Sequence, residues 1–472
     1  MIPKDQSDYC EVDIMRKRDV NMLEGSIVKG LLAIAIPIMV MNVLSSLFNL
    51  IDTRMLKTFE NELAAGAVSA SGSLITFISN LVVGIATGAN VAVAKHIGRK
   101  EIKDAEKAAG TAIAFALTAS LLLVVIGTTF AEFFLDMMKC KQSLKDMGAV
   151  MYFRLYFVGI PMLMMYNFCS AIMRSTGNSR RIMTIAIVAG VVKVVVTYLF
   201  VGVCRLGVTG AAFANFVAWA VYLGMGLWTL TSKNTTVRLR LKNIRFDKNE
   251  LIPILRVGVP SALQMGMYSI ANVMISATVN AVGAQATTGV GIANIFDGVL
   301  YNICYATSLA VLPYVSQNIG AGNVKRAAKS VWRGILITVC IGVFFGSLSA
   351  IFSRQLASFM ADSEEIIWYA RQKMIIISST YFICGINDII CAAMRGLGKP
   401  TIPTVVSLFS LCGLRFAWVF FVYPLLPGDN LTFLYLVWPL GWLLSIVVLL
   451  PFYFARLKKL KEEHQPNPAI EA

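Results

Sequence analysis

Charge is what this chain has least of. Of 472 residues only 14% are Asp, Glu, Lys or Arg, and the mean hydropathy is +0.70. A soluble chain of this size carries roughly 25% charged residues. Long polar stretches are missing too. None exceeds about 30 residues, short of the usual domain size, so no soluble domain is expected. Histidine occurs only twice, as His96 and His464, which excludes a His cluster. The nine cysteines are scattered with no CxxC pair, which argues against a disulfide framework or a thiolate metal site. No GxxxxGK[ST] pattern is present, so ATP is not the direct energy source within this chain. The polar start, MIPKDQSDYCEVDIMRKRDV, lacks the apolar core of a signal peptide.

What the chain has is apolar length. Runs of about 20 residues or more, enough to cross a bilayer, fall near 31–53, 63–93, 108–131, 148–172, 182–203, 208–231, 252–281, 286–317, 331–352, 366–393, 400–424 and 431–455. The expected fold is an all-α membrane protein with twelve transmembrane helices. The net charge of +16 would suit nucleic acid, but its distribution does not. With a cytoplasmic N-terminus and alternating spans, 30 of the 42 Lys and Arg residues lie on the cytoplasmic side. Six lie in outer loops (Lys57, Lys139, Lys141, Lys145, Arg205 and Arg354), and six within spans. Positive charge on the cytoplasmic side sets orientation. The basic balance therefore reports topology, and no nucleic-acid partner is expected. The expected location is the cell (plasma) membrane, multi-pass, with both termini cytoplasmic and the lipid bilayer as the surrounding partner.

The chain also repeats itself at a spacing of about 222. AIPIMVMN around Pro37 answers GVPSALQM around Pro260. KHIGRKEIKDAEKA (95–108) answers QNIGAGNVKRAAKS (317–330), and MRSTGNS (173–179) answers MRGLGKP (394–400). Each copy holds six spans. An even number sends both copies into the membrane in the same direction, which predicts two six-helix lobes related by a pseudo-two-fold axis along the membrane normal. The expected divisions are a cytoplasmic N-terminal tail (1–24), an N-lobe (25–231), a basic cytoplasmic linker (232–250), a C-lobe (251–456) and a cytoplasmic C-terminal tail (457–472). Two such lobes suit a secondary transporter working by alternating access. The repeated Gly-containing turns also have a plain backbone reading, as helix punctuation.

These segments resemble the multidrug and toxic compound extrusion (MATE) family. The resemblance is carried by MLEGSIVKGLLAIAIPIMVMNVLSSLFNLIDT, GANVAVAKHIGRKEIKDAEKA, MRSTGNS, RLGVTGAAFAN and their second-half partners, and runs from about Leu23 to Phe454. It implies an antiporter, not an enzyme, that exports small organic compounds, cationic ones first, in exchange for protons or sodium. It implies no cofactor beyond the coupling ion. With no large outer loop to dock a partner, a monomer is expected.

Asp52 occupies the place of the family's first-span acid. An ionisable residue at membrane depth costs about 2.5–3.5 kcal/mol on insertion scales, so it usually faces a cavity. Near the outer end of its span, water also reaches it. In one family branch an Asn and an Asp on the fifth span complete the ion site; those places hold Lys193 and Thr197 here. A charged lysine cannot ligate sodium. Lys193 needs a carboxylate or a wet cavity, and Asp52 is the expected partner. The repeat offset maps Lys193 onto Arg415. Asp388 on the tenth span is a third ion-coupling candidate. The substrate-binding candidates are Asn49, Tyr166, Asn167, Gln264, Tyr268, Asp297, Tyr301 and Arg415. Arg54, two positions on from Asp52 and so on a different face, is expected to snorkel to the outer interface; counted with the interior, it gives Asp52, Asp297 and Asp388 against Arg54, Lys193 and Arg415, charges that could neutralise one another in pairs. Flippases for lipid-linked saccharides tend to have a more basic central cavity, so Lys193, Arg54 and Arg415 keep that second reading open.

Overall fold

The structure, a computed structural model, describes residues 20–59, 62–137, 142, 145–425 and 431–463. The first 19 residues, His464 with the rest of the C-terminal tail, Lys139 and Lys141 lie outside it.

Among the described residues, twelve helices are long and apolar enough to cross a membrane. They are α1 (Ile27–Phe59), α2 (Glu62–Gly98), α3 (Ile102–Thr129), α4 (Val150–Ser175), α5 (Ser179–Thr197), α6 (Gly207–Thr231), α7 (Lys248–Val282), α8 (Ala284–Gly320), α9 (Val324–Ile351), α10 (Glu364–Gly396), α11 (Thr401–Leu425) and α12 (Leu431–Glu463). Backbone groups in lipid must be satisfied within the segment, and a continuous helix does this. Several helices outrun their apolar windows because polar ends stay helical. The start of α7 reaches back into the basic linker, where the Asp247 carboxylate accepts the Asn249 backbone N–H at 2.9 Å.

The chain divides into two compact units. Unit 1 holds residues 1–21, 36–93 and 101–258; unit 2 holds 22–35, 94–100 and 259–472. In unit 1, α4 packs against α3 and α6. Tyr156 of α4 meets Trp219 of α6 edge to face at 5.1 Å, and its hydroxyl pairs with Ser79 at 2.8 Å. Asn90 donates to the Ala171 carbonyl at 2.9 Å. In unit 2, α10 is the central helix, against α8, α9 and α12. Small residues let these backbones approach: a Cβ on Gly346 would strike the Ser378 carbonyl, and one on Gly289 the Ile366 carbonyl.

The repeated turns share a backbone conformation. Gly177 (φ 82°) and Gly398 (φ 80°) hold the same place in MRSTGNS and MRGLGKP. An L side chain strains there, which accounts for glycine at both. The fifth and eleventh spans also match in kind. Tyr198–Val203 winds as a wide turn straight after α5. Within α11, wide turns at Leu408–Gly413 and Trp418–Val422 bracket the segment Leu414–Ala417 that carries Arg415. Such π-type turns collect at functional sites in helices.

Candidate functional site: two Asp–Lys clusters

In unit 1, α1 presents Asn49 and Asp52 three residues apart, hence on one face, and α5 presents Lys193 and Thr197 four apart on one of its own. The two faces meet. The Lys193 ammonium lies 2.5 Å from Asp52 Oδ2 and donates to Asn49 Oδ1 at 3.0 Å. The Thr197 hydroxyl donates to Asp52 Oδ1 at 3.0 Å. Both carboxylate oxygens are thus engaged. The pair is 14% and 16% exposed in its side chains, so it is not sealed off. Tyr198, at the start of the wide turn, packs edge to face on Phe59.

Unit 2 repeats this chemistry with different helices. Here α8 presents Asn294 and Asp297, again three apart, and α10 presents Lys373 and Ser378. Lys373 donates to Asn294 Oδ1 and lies 3.3 Å from Asp297 Oδ2. The Ser378 hydroxyl donates to Asp297 Oδ1 at 3.4 Å. In each cluster one lysine spans an Asn and an Asp, and a hydroxyl takes the second carboxylate oxygen. The unit 2 pair is only 6% and 7% exposed.

The true repeat partner of the Lys193 site is chemically different. Arg415 donates to Asn272 at 2.7 Å, as Lys193 does to Asn49. Ile275 and Val419 stand where the repeat places Asp52 and Thr197. Arg415 has no ion pair among the described residues; its guanidinium instead lies 5.0 Å from the Trp438 ring, a cation–π distance. Lys373 lies 5.9 Å from the same ring. Trp438 therefore gathers two buried cations beside a single carboxylate.

The remaining candidates scatter. Gln264 donates to the Tyr268 hydroxyl at 2.9 Å and to Ser407 at 2.8 Å, and accepts from Arg395 at 2.6 Å. Asp388 Oδ2 is buried with no hydrogen-bond partner among the described residues. Tyr301 stacks on Tyr305 at 5.4 Å. Tyr166 packs on Tyr222 at 4.4 Å, and Asn167 bonds back to the Leu163 carbonyl of its own helix. The structure so joins Asn49, Asp52 and Lys193, joins Gln264 with Tyr268, and sets Asp297 and Arg415 near one another through Lys373 and Trp438. It does not bring Tyr166 or Asn167 to Asp52. One expectation needs correction. Arg54 is exposed and makes no ion pair among the described residues. A further interior cation is Lys373, which the reading of the sequence passed over, along with Asn294 and Trp438. The only signal available was a lysine inside WYARQKMIIISS with an acid on a separate helix.

The MatE family profile matches residues 37–199 and 260–421, one match to each copy of the repeat. The chain is 26% identical over 428 residues to the probable multidrug resistance protein YoeA of Bacillus subtilis, covering 89% of this chain and 91% of that one. It is 22% identical over 397 residues to the FAD transporter of Shewanella oneidensis, covering 83% and 87%. Its fold matches a MOP superfamily transporter from Pyrococcus furiosus with a TM-score of 0.85, at 20% identity over 94% of this chain and 99% of that one. Twelve membrane-crossing helices, a doubled profile match and full-length relatives agree: the chain is a multi-pass membrane protein belonging to the MatE family of multidrug efflux transporters.

Proposed function

We propose that this chain exports small organic compounds across the plasma membrane by alternating access, driven by protons, as a monomer with both termini in the cytoplasm. The observation that carries the proton is the Asp52–Lys193 pair. A carboxylate already matched by an ammonium at 2.5 Å leaves no net charge to attract sodium. A proton arriving on Asp52 cancels the attraction, frees Lys193 to move with Asn49, and so biases one conformation of the unit over another. Proton release restores the pair. Intramembrane charges commonly serve such relays. Asp388, with one buried oxygen unengaged, is the second candidate for the same task.

The test is dye efflux from proteoliposomes holding the purified chain, with proton and sodium gradients imposed separately. Efflux of an organic cation is expected to follow the proton gradient and to fall at least about tenfold in Asp52→Asn, on the scale of losing a group that acts in proton transfer. Efflux driven by sodium alone, or a fully active Asp52→Asn, would sink the proposal.

A second reading concerns the cargo. Arg415 and Lys373 beside Trp438 favour an anionic aromatic group over a cationic one, and a relative of this chain is an FAD transporter. In the same vesicles, a flavin nucleotide outcompeting the cationic dye, with that advantage lost in Arg415→Gln, would decide for the anion. A lipid-linked saccharide is the remaining alternative, and flipping of such a lipid with no movement of either soluble solute would select it.

A further inference from the structure

The first turns of α3 and α9 are copies of one segment, IKDAEKAAGT in unit 1 and VKRAAKSVWR in unit 2. They have diverged in a consistent direction. In unit 1 acids intervene: Lys107 pairs with Asp104 at 2.7 Å, and Glu106 pairs with Arg240 of the linker at 3.4 Å. The linker also lies flush on this helix. The Thr111 hydroxyl donates to the Arg245 carbonyl at 3.1 Å, and a Cβ on Gly110 would collide with the Asn243 backbone.

In unit 2 every one of these features is reversed. The places of Asp104 and Glu106 hold Arg326 and Ala328, and those of Gly110 and Thr111 hold Trp332 and Arg333. A cavity of about 580 Å³ opens beside the helix, lined by Gly25, Ser26, Ile27 and Val28 of the lead into α1 and by Asn323, Lys325, Arg326, Lys329 and Arg333. Four basic side chains line it and no acidic one does. Arg326 is already committed, donating to the carbonyls of Met22, Glu24 and Gly25 at 2.6–3.1 Å, and Asn323 caps α9 by accepting the Arg326 backbone N–H. That fixes the wall of the cavity. Lys325, Lys329 and Arg333 remain exposed and have no ion pair among the described residues. The first backbone N–H groups of α1, at Ile27 and Val28, have no intrahelical acceptor and border the same space.

The stripe below the charges supplies the other half. Lys325, Lys329, Trp332, Arg333 and Leu336 follow one face of α9, in spacings of three and four. Trp332 is 49% exposed and Leu336 53%. Cations at the helix end, an exposed tryptophan at their foot and an exposed aliphatic surface beyond form the profile of a membrane interface. A free phosphate would need only the cations. A molecule with a phosphate and acyl chains uses the whole stripe. We infer that this cavity of unit 2 is a binding site for the headgroup of an anionic phospholipid, whose phosphate meets Lys325, Lys329 and Arg333 while its chains run down past Trp332 and Leu336.

The experiment is native mass spectrometry of the full chain in detergent, titrated separately with phosphatidylglycerol, phosphatidylcholine and inorganic phosphate. Three proteins are compared: wild type, the triple variant Lys325→Gln/Lys329→Gln/Arg333→Gln, and a control variant Lys458→Gln/Lys459→Gln/Lys461→Gln that removes equal charge from the end of α12. Wild type and control are expected to retain phosphatidylglycerol over phosphatidylcholine. The triple variant is expected to lose at least about tenfold of that retention, since each basic side chain near an anionic surface contributes roughly fivefold. The charge-preserving Lys325→Arg/Lys329→Arg protein is expected to bind as wild type does, which separates loss of a site from loss of fold. Equal retention by the triple variant, an equal loss in the control, or equally tight binding of inorganic phosphate would overturn the inference.

Discussion

The two Asp–Lys clusters invite comparison because each joins an Asn, an Asp, a Lys and a hydroxyl residue, Thr in one and Ser in the other. Asn49, Asp52, Lys193 and Thr197 lie on α1 and α5, the first and fifth spans of their copy; Asn294, Asp297, Lys373 and Ser378 lie on α8 and α10, the second and fourth of theirs. They are not repeat partners, so duplication did not produce the likeness. What differs is access. The unit 1 pair keeps about twice the fractional exposure of the unit 2 pair. On the proposed reading the more exposed pair trades a proton, whereas the pair buried near Tyr381, Tyr435 and Trp438 holds helices in register. Similar chemistry need not mean a shared role, and burial is what would separate the two.

The largest effect should come from breaking the sealed pair. Asp297→Asn leaves Lys373 charged and unmatched, a loss of about 3–5 kcal/mol of stability. Lys373→Met costs a similar amount, while the double variant Asp297→Asn/Lys373→Met should recover most of it. Thermal unfolding in detergent, followed by tryptophan fluorescence, reads all three. In the same assay Asp52→Asn should lose less than half as much. If the two Asp variants melt alike, the division into a working pair and a holding pair is wrong.

Lys193 offers a sharper functional cut. Removing the fixed ammonium with Lys193→Asn bares the Asp52 carboxylate and leaves Asn49 and Thr197 as neutral oxygen donors. Such a set suits a hard cation. If wild type is proton-driven as proposed, efflux by this variant is expected to gain dependence on a sodium gradient. Lys373→Asn, in the sealed cluster, should gain none. Measured side by side in proteoliposomes, a sodium response in both variants or in neither would remove the distinction.

The arginines of the repeated MR turn give a smaller contrast. Arg395 reaches across to Gln264 of α7 at 2.6 Å and is buried, whereas Arg174 bonds Ser170 of its own helix at 2.7 Å. A charged hydrogen bond between helices contributes about 1.5–3 kcal/mol. One within a helix adds a few tenths. Arg395→Ala should therefore lower the melting temperature well beyond Arg174→Ala, and equal shifts would show that the motif acts alike in both units.

How much of this was legible beforehand follows a physical rule. The twelve spans and the repeat were readable because hydropathy and self-similarity are properties of the chain itself. The meeting of Lys193 with Asp52 was readable because a cation at membrane depth must find an anion, and one candidate stood out. The partnership of Lys373 with Asp297 was not. Lys373 follows Glu364, Glu365 and Arg371, so it reads as the polar outer end of a span, and nothing in linear spacing points to α8. Arg54 is the simpler case: two positions on from Asp52 it points to a different face, as a residue that snorkels to the outer interface would, and it is exposed. The cluster around Trp438 draws on four helices, α8, α10, α11 and α12, and leaves no linear trace.

The turn glycines make the finest comparison. Gly177 and Gly398 share a positive φ, so Ala at either place carries the same conformational strain, about 1–2 kcal/mol. Their surroundings differ. At Gly177 a Cβ would sit 2.9 Å from the Val20 carbonyl oxygen and 3.0 Å from its nitrogen, backbone atoms that yield poorly. At Gly398 it would meet only the end of the Lys95 side chain, at 3.3 Å, which can swing aside. Gly398→Ala should therefore show the strain alone, and Gly177→Ala the strain plus a displaced lead-in to α1. Melting curves should rank Gly177→Ala below Gly398→Ala by a small but measurable interval. The reverse order would mean that the segment before α1 gives way more easily than a lysine side chain, and that its packing on this turn contributes nothing to unit 1.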